Sequence, residues 1–163
     1  MIIVLISITH ILLPLSLCYS NKINYLYKTI FVKEKRNQEE WKIEIPKIQL
    51  IANILDGTDE ETLNKAVAHF TQSQYIRGNV CLAAHNRGYK VNYFSNIKEL
   101  KKGDEIIYQY KDVKLHYIIY KSTIIKDTDI AVIDNTKENI ITLITCVENE
   151  PENRRCIQGK LKI

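Results

Sequence analysis

The stretch EIIYQYKDVKLHYIIY, residues 105–120, decides the fold class. Two runs rich in Ile, Tyr and Val flank the polar pair Lys111-Asp112, the pattern of two strands joined by a tight turn. Gly103-Asp104 marks a turn just before it. The same short-strand pattern recurs on both sides. Downstream, residues 130–133 form a short apolar run, residues 140–145 alternate and end at Cys146, and residues 154–163 read as a last strand. Upstream, residues 41–45 alternate at strand period, Pro46 stops them, and residues 47–55 resume until the Asp56-Gly57 turn. Residues 80–84 follow the Arg77-Gly78-Asn79 turn as another strand, which ends at His85 and is broken by Asn86-Arg87-Gly88. This makes eight strand candidates. One helix is signalled: Thr58 and Glu61 have capping-box spacing, and Leu63, Ala66, Val67 and Phe70 share a helical face, predicting a helix from Asp59 to about His69. Residues 95–100 read as one helical turn capped by Ser95. Many short strands with little helix predict a mainly β sandwich or barrel.

Composition supports one folded domain. Of 163 residues 45% are hydrophobic and ten are tyrosine, enough for a core and unlike a disordered chain. The net charge is +4, but basic residues alternate with acids instead of clustering, which argues against nucleic acid as a partner and suits an anionic wall or membrane.

Residues 1–20 carry no Lys, Arg, Asp or Glu, and residues 2–17 are almost entirely apolar. The run is shorter than the roughly 20 apolar residues of a membrane span and has the size of a secretory core, with Cys18-Tyr19-Ser20 as a small-residue cleavage site. Residues 1–20 are therefore read as a hydrophobic signal or anchor segment, residues 21–40 as a polar linker, and residues 41–163 as the folded β domain. Lys22, Lys28, Lys33, Lys35 and Arg36 follow the apolar run, a bias that would hold the C-terminal part of an uncleaved anchor inside the cell. A cleaved signal, or a start further upstream, would each reconcile that bias with export.

The cysteines are Cys18, Cys81, Cys146 and Cys156, and three remain if the leader is removed. An odd count leaves a free thiol, and no CxxC pair is present to hold zinc. Cys146 ends a strand, where a side chain is held rigidly on one side and open on the other; the alternative is a small buried hydrophobe. His85 also follows a short strand, as a surface or packing residue or as an acid/base group. Together the two are a nucleophile and its proton-transfer partner: the thiolate attacks a carbonyl and an imidazolium protonates the leaving amine. Arg154 and Arg155 open the last strand as two solvated charges, or with one guanidinium turned to the thiol, where it would hold a developing oxyanion. Strand alternation allows only one of them onto that face.

These residues resemble a family. TLITC at residues 142–146 matches the TLxTC motif of sortases, AAHN at 83–86 resembles the segment carrying their catalytic His, and RRCIQGKL at 154–161 resembles their terminal strand in a register that selects Arg154. Ile45-Pro46-Lys47-Ile48 resembles the opening Ile-Pro strand pair, and residues 66–70 with Gly78-Asn79 resemble the segment before the His strand. The resemblance spans residues 41–163 in order. It implies a closed eight-stranded sortase-type β-barrel with one or two short helices. It further implies a cysteine transpeptidase that cleaves an LPxTG-like signal between Thr and Gly. Cys146 would form the thioester, His85 would protonate the leaving amine and deprotonate the incoming one, Arg154 would stabilise the oxyanion, and Thr145 would help bind substrate. The implied partners are surface proteins with a C-terminal LPxTG-like signal and an amine of a peptidoglycan precursor, at the extracytoplasmic face of the cell membrane. Pilin-polymerising members use a pilin lysine instead. A cysteine hydrolase would share the same residues, and a non-enzymatic wall-binding barrel would keep Cys146 inert.

The compact chain and the Asp56-Gly57-Thr58 turn look most like class D, while Gly159-Lys160-Leu161 also resembles class B. Ala84 stands where a Gly usually precedes the His, Arg155 is charged where an apolar residue is commoner, and Cys156 shares the strand face of Arg154, placed to oxidise with Cys146. No cofactor and no metal is expected. Some sortases use calcium, but Asp56, Asp59, Glu60 and Glu61 are accounted for by the turn and the helix start.

Overall fold

The structure, a computed structural model, describes residues 23–26, 28 and 41–163. It divides into two units, Met1–Asn37 and Gln38–Ile163. In the first, residues 23–26 and 28 are helical. The signal or anchor segment read at residues 1–20 and the rest of the 21–40 linker lie outside the described residues. Among the described residues no helix is long and apolar enough to cross a membrane.

The second unit is the expected closed β-barrel of eight strands: β1 Trp41–Ile45, β2 Leu50–Asp56, β3 Val67–His69, β4 Asn79–Ala83, β5 Glu105–Tyr110, β6 Val113–Lys126, β7 Ile140–Val147 and β8 Glu150–Leu161. Around the barrel they run β1-β2-β3-β4-β7-β8-β6-β5, and β1 closes on β5. The pairs β2–β3 and β4–β7 are parallel and the others antiparallel. Period-2 alternation sends Ile43 and Ile45, Ile106 and Tyr108, and Ile141 and Leu143 into one core. Each fully buried aliphatic side chain there stabilises the fold by roughly 1.5–3 kcal/mol relative to exposure. The β5–β6 hairpin turns at Lys111, as expected, with that residue in the left-handed region (φ 53°).

Several expectations need correction. The helix predicted from Asp59 to His69 lasts only from Glu60 to Leu63. Its cap is Asp59, not Thr58: the Asp59 carboxylate accepts from the Thr62 N–H and the Thr62 hydroxyl, both at 3.0 Å. Val67–His69 instead forms β3, with Val67 paired to Ile54 and His69 to Leu82. A helix continued through these residues would leave the facing edges of β2 and β4 unpaired, so barrel closure overrides a weak helical pattern.

Residues 130–133 are a 3-10 turn instead of a strand, and Ile130 is 72% exposed. Both edges of β4 are already taken, by β3 and β7, so this segment has no strand to join. It is tied by its carbonyls instead: Asn79 Nδ2 donates to Val132 O at 2.9 Å and Asp134 O at 3.0 Å. The number of strands was therefore right while one member was wrong. Residues 47–49 are not strand: Pro46–Ile48 is a 3-10 turn, and β2 starts at Leu50. The turn near Ser95 is Ile97–Glu99, follows Asn96, and has no side-chain cap bond.

Candidate active site

Parallel pairing of β4 with β7 sets the site. Ala83 lies opposite Ile144, so the chains leave the barrel together at one rim. Three hydrogen bonds then hold the residues around His85 level with the end of β7. The Ala84 N–H donates to Ile144 O at 3.4 Å, Thr145 Oγ1 donates to Ala84 O at 2.6 Å, and Asn86 Nδ2 donates to Cys146 O at 2.7 Å. His85, between Ala84 and Asn86, is brought to Cys146 by backbone register.

On β7 the residues Ile141, Leu143 and Thr145 are buried, and Cys146 is exposed. Across the β7–β8 pair Cys146 faces Arg154, and Thr145 faces Arg155. Residues directly opposite in an antiparallel pair share a sheet face, so Arg154 and Cys146 are neighbours on one face and Arg155 lies on the other. The ladder then breaks: after Cys146–Arg154 the next pair is Val147–Glu150, with Asn149 in the left-handed region at the turn (φ 62°). The strands extend beyond the expected 140–145 and 154–163: β7 runs to Val147 and β8 starts at Glu150, with an irregularity beside Cys146. Such bulges re-aim side chains.

Arg154 is held in place. Nη1 donates to the carbonyls of Pro151 and Asn153, the latter at 2.8 Å, and Nη2 lies 3.7 Å from Asp127 Oδ2. Orientation is therefore fixed by the irregular turn itself. Thr145 is 5% exposed and bonds Ala84 O, so its visible job is to tie the two strand ends together.

The three described thiols are free and differ sharply. Burial pushes Cys81 up to about 12 and Cys156 up to about 11, which keeps both as inert thiols at neutral pH. Cys156, 1% exposed, sits opposite Ile144, two pairs along the ladder from Cys146–Arg154. Cys146 alone of the three is exposed.

His85 lies against Tyr89, with ring centroids 3.5 Å apart and planes 6° from parallel. Its Nε2 is buried and makes no hydrogen bond among the described residues. Burial lowers the His85 pKa below its ordinary 6.5, and the Glu60 carboxylate partly opposes this. The sequence reading missed Tyr89 and Glu60, and assigned no role to Asn86. Only Asn86 carried a signal, its position next to His85; Tyr89 and Glu60 reach His85 through folding. Among the described residues no group of three His, Cys, Asp or Glu side chains is placed to hold a metal ion. Asp56 is occupied by His69 Nδ1 at 2.8 Å and the Tyr75 hydroxyl at 2.9 Å.

This architecture and these motifs have known relatives. The family model described as a sortase domain matches residues 43–162. The chain is 34% identical over 137 residues to sortase D of Bacillus subtilis, covering 78% of this chain and 66% of that protein. It is 30% identical over 117 residues to sortase A of Bacillus anthracis, covering 71% of this chain and 56% of that one. The chain thus spans little more than half the length of such a sortase A. Among solved structures, sortase A of Listeria monocytogenes superposes with a TM-score of 0.71 at 29% identity, covering 76% of this chain and 87% of that one. The pilus-related sortase C of Group B Streptococcus also superposes at 0.71, and at 22% identity, with 76% of this chain and 66% of that one covered, it speaks for the fold alone. The match of the domain over most of the chain, together with the closed barrel that carries Cys146 on β7 and His85 just past the end of the adjacent β4, makes this chain a member of the sortase family.

Proposed function

We propose that the chain is a cysteine transpeptidase that cleaves an LPxTG-like signal between Thr and Gly and passes the acyl group to an amine of a cell-wall precursor. One observation carries this reading: Cys146, the exposed thiol of the three described, stands between His85, in the segment that leaves the neighbouring β4 and is tied to Cys146 through Asn86, and Arg154 on β8. Neutral His85, favoured by burial, takes the Cys146 proton as sulfur attacks the Thr carbonyl. The Arg154 guanidinium, held by Pro151 O and Asn153 O, meets the oxyanion; such a donor is worth about 100- to 1000-fold in rate. Collapse of the tetrahedral species breaks the Thr–Gly bond, and the His85 imidazolium gives its proton to the leaving Gly amine. The thioester then acylates an incoming amine, which loses a proton to His85. Similarity to sortase D of Bacillus subtilis supports a class D assignment. The apolar run over residues 2–17 supports placement at the extracytoplasmic face of the membrane; fractionation of the native cell checks this, and recovery in the cytosol would refute it.

The test of the reaction is incubation of the full chain with LPxTG-type peptides, with mass spectrometry of the protein and products. A peptide-derived acyl adduct on Cys146, resolved by an added amine, is expected, with Cys146→Ala folded and inactive. Cleavage that persists in Cys146→Ala, or is lost only in Cys81 or Cys156 variants, would sink the assignment.

A further inference from the structure

Beside Cys146 is a cavity of about 410 Å³ whose wall carries charge that the proposed chemistry does not use. Phe94 and Ile97 give it an apolar, buried lining. Arg87 and Glu148 also line it and neutralise each other at 2.8 Å. Two further cations remain, Lys98 and Arg155. Neither makes an ion pair or a side-chain hydrogen bond among the described residues, in contrast to Arg154, which is tied to two carbonyls and to Asp127. Arg155 enters because it pairs with Thr145 and so points to the opposite sheet face from Arg154. The two arginines therefore serve different spaces around one thiol. A concave site with apolar walls and a surplus of positive charge concentrates anions, and a guanidinium beside an ammonium matches the two oxygens of a carboxylate.

We propose that this cavity is a carboxylate-binding subsite in which Arg155 and Lys98 hold an acidic group of a peptide substrate next to the Cys146 thiol. That the occupant is a transpeptidation substrate rests on the function proposed above. The carboxylate belongs either to the cleaved peptide or to the amine acceptor, since both present the same group.

The first experiment needs no turnover. The full chain is alkylated at Cys146 with anionic iodoacetate and with neutral iodoacetamide, and the ratio of rates is read. Lys98→Gln and Arg155→Gln are each expected to lower the iodoacetate-to-iodoacetamide ratio by about two- to five-fold, the size of one exposed charge interaction. Lys102→Gln, which removes the same charge from an exposed turn outside the cavity, is expected to leave it unchanged. An equal ratio in all four proteins overturns the subsite. The second experiment compares acyl transfer with Glu- and Gln-containing donor peptides, and with glycine and glycinamide as acceptors, in the wild type and in Arg155→Gln. The arm in which that substitution erases the acidic preference names the source of the carboxylate; no change in either arm overturns the proposal even if the thioester forms. A charge-dependent alkylation ratio without any thioester would refute the transpeptidase reading and leave the subsite standing.

Discussion

Two histidines occupy neighbouring strand ends of the barrel and have opposite surroundings. His69 ends β3 and is 0% exposed. Its Nδ1 bonds Asp56, its Nε2 lies 3.0 Å from Ser73 Oγ and 3.2 Å from Gln74 O, and Trp41 and Tyr75 pack on the ring at 5.1 and 4.5 Å. Asp56, His69 and Ser73 thus lie in the order of a hydrolase relay. Yet Ser73 is buried and also accepts the Cys81 N–H at 3.1 Å, so its hydroxyl is part of the packing. His85 has one ring face covered by Tyr89 and a buried Nε2 without a hydrogen bond among the described residues. A histidine with both nitrogens satisfied holds a structure together; one with a nitrogen left available beside an exposed thiol is suited to move a proton.

The same substitution at each position sharpens this contrast. His85→Gln should reduce turnover of an LPxTG-type peptide by about 100- to 10,000-fold with the fold unchanged by circular dichroism. Retention of near-normal turnover would break the comparison from one side. His69→Gln should leave turnover per folded molecule within a few-fold while lowering stability by about 1–3 kcal/mol in urea titration, because buried polar partners lose their match. Loss of turnover in a fully folded His69→Gln protein would break it from the other.

A smaller effect is expected with pH. The His85 pKa lies below 6.5 in the folded chain because burial disfavours the imidazolium. Between that lowered value and 6.5 the unfolded chain binds more protons than the folded one, so stability rises with pH across this window and is lost as pH falls through it. His85→Gln should flatten this part of the stability profile, and an unchanged slope would show that His85 titrates normally. The smallest effect belongs to Tyr89→Ala. Removing the stacked ring returns water to His85 and should raise its pKa toward 6.5, read by NMR titration of the imidazole, with turnover changed only a few-fold.

Legibility differed between barrel and site for a physical reason. The long hairpin, β1 and the strand ending near Cys146 were readable because alternation and turn residues are local properties. Val67–His69 was not, because three residues carry too little pattern to outweigh four residues of helix signal before them. What makes them a strand is the pair of open edges on β2 and β4, and those come from distant sequence. At the site, Cys146, His85 and Arg154 stood out as residues at strand ends in a recognisable order. The stacking of Tyr89, the Glu60 charge near His85 and the tether of Asn86 to Cys146 O required the fold.

The sequence by itself determined that this chain is mainly β and that its candidate reactive residues sit where strands end. Period-2 patterning, turn chemistry and short motifs are written in adjacent residues. Only the tertiary structure decided which of the three described thiols is exposed, that His69 is fully partnered, and that Arg154 and Arg155 face different sides of the β7–β8 sheet beside Cys146. Those properties depend on burial and cross-strand register, which are set by contacts between segments far apart in the chain.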